Sequence, residues 1–211
     1  MSEYLFYFAS LLSAVILVFY YLRIKIINLR TTYFAPFIWL VFIATSYELF
    51  LYDWFRIGSI VWFRIYDFLE FFTLYYYFYK LIKGYRIFFK IIFVFYLFLF
   101  LSLLSTKIIF PLQSDSYLVC VEAVFVFISS ILWFKQLFKN TVPVSLFMLS
   151  DFYFVSGLIL YFSGILTLEL LSTIIFKKFT SEFLDYWNLM IVFNIILRLF
   201  IIVGVWKKSK K

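Results

Sequence analysis

Histidine is absent from all 211 residues, and one cysteine, Cys120, is the whole complement of thiols. The missing histidine removes three-histidine membrane zinc hydrolases, histidine-ligated haem and Ser–His–Asp catalysis together. Carboxylates with a single thiol make a poor zinc set, so no metal is expected. A lone cysteine closes no internal disulfide, and Cys120 lies in an apolar run where it reads as a small buried hydrophobe. A retinal protein needs a lysine in its last span, but residues 185–206 contain none. With five glycines in the chain, no glycine-rich phosphate loop is present either. No cofactor is expected. An acid–base pair built from carboxylates alone remains chemically allowed.

What the chain has in abundance is apolar surface. Hydrophobic residues make up 66% of it and charged residues 14%, against about 45–50% and about 25% in soluble domains. Mean hydropathy is +1.05. This composition is that of an integral membrane protein. Phe (33) and Tyr (18) are numerous, but codon bias in an AT-rich genome produces the same excess, so no aromatic residue is singled out by abundance. The net charge of +8 does not point to nucleic acid, because the basic residues sit at segment ends and in the tail KKSKK. Such ends meet the headgroups of the lipid bilayer.

Crossing about 30 Å of hydrocarbon takes roughly 20 apolar residues. Seven runs qualify, at about 4–22, 34–53, 59–80, 90–106, 117–134, 145–170 and 185–206. The expected fold is therefore all-α, a polytopic seven-transmembrane-helix bundle occupying 1–211 as a single domain with short loops and no soluble domain. The first run is long enough to span and no cleavage motif follows it, so no signal peptide is expected. Pro36 and Pro143 are expected at or before helix starts, and Pro111 with QSDS in a loop. Thirteen of the nineteen Lys and Arg fall on the side of the loops after spans one, three and five and of the C-terminal tail. Five fall on the other side, and Arg198 lies within the last span. This bias places the N-terminus outside and the C-terminus in the cytoplasm.

A charge at the bilayer centre costs about 2.5–3.5 kcal/mol on insertion scales, so each intramembrane one demands a reason. Counting from the expected span ends sets Glu48, Arg64 and Glu122 at one outer level, each five residues in. Asp67 and Glu70 continue the Arg64 face inward at three-residue spacing. One arginine faces four carboxylates. Either Arg64 is structural glue for Glu48 or Asp67, or the imbalance is met in one of two other ways: some of the acids are protonated by desolvation, or a polar, cation-attracting cavity opens outward around these five residues. Nearer the cytoplasm, Asp151 and Arg198 fall at matched depth on neighbouring spans and are expected to pair, with Asn194 one turn from Arg198. Arg198 snorkelling to the inner headgroups is the alternative. Ser156–Gly157 recurs as Ser163–Gly164, a small-residue stripe suited to close helix packing.

SYELF (46–50), RIYDFLEFFTLYYYFYK (64–80), DFYFVSGLILYFSG (151–164) and WNLMIVFNIILRLF (187–200) together resemble an uncharacterised family of small seven-helix membrane proteins of Bacteroidota-type bacteria. Its members are often encoded beside sensor histidine kinases. Glu48, Glu70, Gly157, Tyr161 and Asn194 match recurring positions of that pattern, whereas Arg64, Asp151 and Arg198 are features of this member. The resemblance implies a bacterial cytoplasmic (inner) membrane location and a signalling or accessory context. It carries no family activity. The expected function is a non-enzymatic membrane subunit or sensor acting through a membrane protein partner or homo-oligomer. A small transporter or cation-conducting protein is the alternative, and an intramembrane lipid hydrolase with carboxylate acid/base chemistry comes third.

Overall fold

A computed structural model of the chain describes residues 2–23, 29–51, 59–105, 111–139, 145–178 and 183–207. Seven α-helices run through them: α1 Ser2–Arg23, α2 Leu29–Ser46, α3 Ser59–Leu81, α4 Arg86–Ser105, α5 Pro111–Lys139, α6 Ser150–Lys178 and α7 Phe183–Trp206. A single π turn, Tyr47–Leu51, continues α2, and a short 3-10 turn, Leu146–Met148, precedes α6. No strand occurs among the described residues. All helices but α3 are long and apolar enough to cross a membrane, six in total. α3, at 23 residues, has the length, but Arg64, Asp67 and Glu70 interrupt its apolar surface.

Several helix boundaries differ from the sequence expectation. Pro36 lies inside α2 rather than at its start. A proline there cannot donate to the carbonyl four residues back, a defect that membrane helices tolerate when side chains and neighbouring helices supply other partners. Pro111 opens α5 instead of marking a loop, and the QSDS segment is helical. Its missing N–H is harmless at a first helical position, and its fixed φ is already helical. The sixth helix begins at Ser150, not at 145, because the chain first makes the 3-10 turn. Pro143 lies outside the described residues.

The chain divides into two compact units. The first, from residues 1–32 and 141–211, packs α1 and α6 against α7. α6 and α7 run antiparallel in close contact. A Cβ at Gly157 would stand 2.7 Å from Phe200 Cβ, one at Gly164 would stand 2.4 Å from the Phe193 ring, and one at Gly204 would stand 2.4 Å from the Phe154 ring. The expected small-residue stripe is thus occupied by α7 at its two glycines. Ser163 faces away and is exposed. At one end of this unit Arg23 lies 4.2 Å from the Trp206 ring centroid and donates to the Trp206 carbonyl. This is the amphipathic Arg–Trp chemistry of a membrane interface.

The second unit, Tyr33–Asn140, is built on rings. α3 and α4 are antiparallel, with Phe68 against Phe100, Phe72 against Phe93 and Tyr79 against Phe89. Phe71 and Tyr96 stack at 3.6 Å with planes 6° apart. Phe125 of α5 touches Phe71, Phe78 and Phe89 at 5.4–6.2 Å and is fully buried. On the other side of α3, α2 contributes Phe34 against Tyr77 and Tyr47 stacked on Trp62 at 3.8 Å. Between α3 and α4 the chain turns at Gly84, whose φ of +90° an L side chain rarely adopts. The Gln136 amide clamps this turn, donating to the Lys83 carbonyl and accepting from the Lys83 N–H.

Candidate functional site

Hydroxyls in a dry interior satisfy themselves by bonding back to their own helix. The buried Ser10, Ser13, Thr45 and Ser130 donate to backbone carbonyls three or four residues earlier at 2.7–2.8 Å. Carboxylates have no such local escape, because they accept and the helix interior offers no free N–H. The buried acids are therefore the informative polar groups, and the second unit holds two of them close together.

Glu70 lies eleven residues after the start of α3 and Glu122 eleven residues after the start of α5. Because these two helices run in the same direction, the carboxylates arrive at the same depth, roughly 16 Å along each axis. Glu70 is 5% exposed and Glu122 1%. Glu70 and Asp67 are the charges that Glu122 feels most directly, and the Tyr96 hydroxyl is close enough to feel all three acids. α5 starts six residues earlier than the expected span, and Glu122 stands near Glu70 and Asp67, two of the acids that the sequence set beside it.

Hydrogen bonding around the pair is uneven. Tyr66, one turn before Glu70, donates to Glu70 Oε1 at 3.4 Å. Thr73 donates to the Glu70 backbone carbonyl at 2.9 Å. Tyr96 donates to the Asp67 backbone carbonyl at 3.1 Å while its ring lies on Phe71. Glu122 Oε1 is buried with no hydrogen-bond partner, and so is Ser129 Oγ two turns further along α5. Arg64 and Asp67 are half-buried, and Glu48, in the π turn, is exposed. The five expected cavity residues therefore differ in burial: Glu70 and Glu122 are sealed, Arg64 and Asp67 half-buried, and Glu48 exposed.

The tyrosines were invisible to sequence reasoning for a simple reason. Among eighteen tyrosines, nothing marks the two that meet the acids, although Tyr66 does stand at the i−4 position from Glu70. Ser129 carries no signal at all. Among the described residues no group of three or more Cys, Asp or Glu is arranged to hold a metal ion.

The first unit also buries charge. Asp151 and Arg198 are 4% and 8% exposed. Arg198 Nη1 donates to the Ala9 carbonyl and so ties α7 to α1. The antiparallel register set by Gly157 on Phe200 and Gly164 on Phe193 places Asp151 opposite residue 206, about eight residues past Arg198. Their expected matched depth is thus replaced by an offset of roughly 12 Å along the axes. The cause is the late start of α6, which makes Asp151 its second residue. Asn194 is half-buried, and Asn188 has its Oδ1 buried without a hydrogen-bond partner. Glu169, which the sequence did not draw attention to, accepts from the Tyr186 hydroxyl at 3.0 Å.

Compared with known protein families, curated proteins and solved structures, the chain matches none.

Proposed function

We propose that this chain is a non-enzymatic integral membrane subunit or sensor that acts through a lateral protein partner or a second copy of itself, with the Glu70–Glu122 pair as its responsive element. The observation that carries this reading is the sealing of two carboxylates at one depth on adjacent helices. Ionisable groups inside a membrane protein are costly and mark function by default. The two helices that hold the acids, α3 and α5, share with α4 the ring core around Phe71, Tyr96 and Phe125. A change of charge at the pair acts first on how those helices pack, and a helix face is the surface through which a neighbouring membrane protein reads it. The resemblance to seven-helix proteins encoded beside sensor kinases supports the same reading. Purification in mild detergent tests it: a copurifying membrane chain or a stable oligomer is the expected result. A lone monomer that conducts a cation across liposomes would replace it with transport.

In this reading α3 is the seventh span, its charges turned away from lipid, and the chain is multi-pass in a bacterial cytoplasmic membrane. The lysine and arginine bias then predicts an external N-terminus and a cytoplasmic tail. A reporter that works only in the cytoplasm should be active when fused after Lys211, and one that works only outside should be silent there. The reverse pattern would invert the topology. One observation favours the transport alternative. Arg64, Asp67 and Glu70 pass from half-buried to buried along one face of α3, which is the arrangement a polar entry path requires.

A further inference from the structure

We propose that Glu70 and Glu122 form an intramembrane proton-binding site that holds one exchangeable proton between two carboxylates. The inference names the ligand of the responsive element and rests on the proposed reading of that pair. Two carboxylates in apolar surroundings repel each other far more strongly than in water, and one positive charge removes the conflict. Carboxylate pairs that share a single proton are a known solution to this problem.

The groups facing the pair decide which positive charge it takes. From α3 come Tyr66, Asp67 and, two turns before Glu70, the half-buried Arg64, while α4 contributes the Tyr96 hydroxyl. Lys90 of α4 is exposed and lies six residues from Tyr96, roughly 9 Å along the axis. A hard metal cation needs several convergent oxygens, and the described acids form no metal-holding group. Part of the oxygen supply is already engaged, Glu70 Oε1 by Tyr66 and the Asp67 carbonyl by Tyr96. A proton needs one lone pair. Glu122 Oε1, buried and without a hydrogen-bond partner, supplies it, and Ser129 Oγ on the same helix is a second buried polar atom with no partner. Every other buried serine or threonine hydroxyl named above is bonded to its own helix, and within the second unit the buried polar atoms with no partner, among the described residues, are these two of α5.

The test is infrared spectroscopy of the full chain in lipid bilayers at neutral pH, comparing the wild type with E70Q, E122Q and the double variant. The wild type should show the carbonyl stretch of a neutral carboxyl, shifted in heavy water, and the double variant should lack it. Identical spectra for the wild type and the double variant would overturn the proposal. So would a wild-type band that appears only when sodium or potassium is withdrawn at constant pH, because the ligand would then be a monovalent cation. If a variant fails to fold, the wild type alone decides: at neutral pH the band must be present, and raising the pH must remove it. The absence of both a copurifying partner and a stable oligomer would refute the proposed function and leave this band untouched.

Discussion

Gly164→Ala should destabilise the first unit, although alanine is the better helix former by about 1 kcal/mol. The added methyl would stand 2.4 Å from Cδ1 and Cε1 of the Phe193 ring and 2.5 Å from its Cγ, so the ring must leave its seat or the helices must separate. Overpacking of this kind costs about 1–3 kcal/mol, occasionally more. In a bilayer that cost is not softened by a hydrophobic drive between helices, because lipid tails are as apolar as the side chains, and close backbone approach is itself what holds α6 to α7. Thermal unfolding in detergent measures the outcome. Ser163→Ala, one residue away on the exposed side, is the control and should stay within about 0.5 kcal/mol of wild type. Phe193→Leu added to Gly164→Ala should restore part of the loss, since it removes the ring that clashes. Equal melting of the Gly164 and Ser163 variants would show that the contact does not hold the unit together.

The glycines illustrate how far sequence carried the fold. A Ser–Gly repeat seven residues apart announces that something packs there, but not what, because lipid and partner helix impose the same demand for apolar surface. The same limit hid the aromatic core. α4 and α5 are apolar nearly all round across their candidate spans, so no periodic stripe separates rings such as Phe125, which face protein, from residues such as Phe98, which is 71% exposed. Span existence was legible from run length alone. Span ends were not, since a helix stops where its backbone bonding stops and an apolar run stops where hydrocarbon does. Those few residues at the start of α5 set Glu122 as far from its helix start as Glu70 is from the start of α3. A later start than expected at α6 sets Asp151 opposite residue 206 along α7. Depth arguments for intramembrane charges are therefore only as good as the helix starts beneath them.

Glu122→Leu should raise stability while abolishing the response of the protein, the opposite sign to most core substitutions. A buried carboxyl oxygen without a hydrogen-bond partner costs about 1–3 kcal/mol in desolvation. Leucine has similar bulk and no polar atom, so it removes that cost without orphaning a donor elsewhere. It also relieves Glu70 and Asp67 of a neighbouring like charge. Glu122→Ala would lose this advantage to a cavity beside Phe125 and Ala123, both fully buried. Melting temperatures in one detergent should therefore rank leucine above wild type and wild type above alanine. Sites kept polar against stability are kept for function, so under the proposed function the leucine variant should still insert and purify but lose its effect on the partner or second copy. A leucine variant less stable than wild type would mean that Glu122 is held by a contact worth more than its desolvation, and the pair would then be structural glue rather than a responsive site.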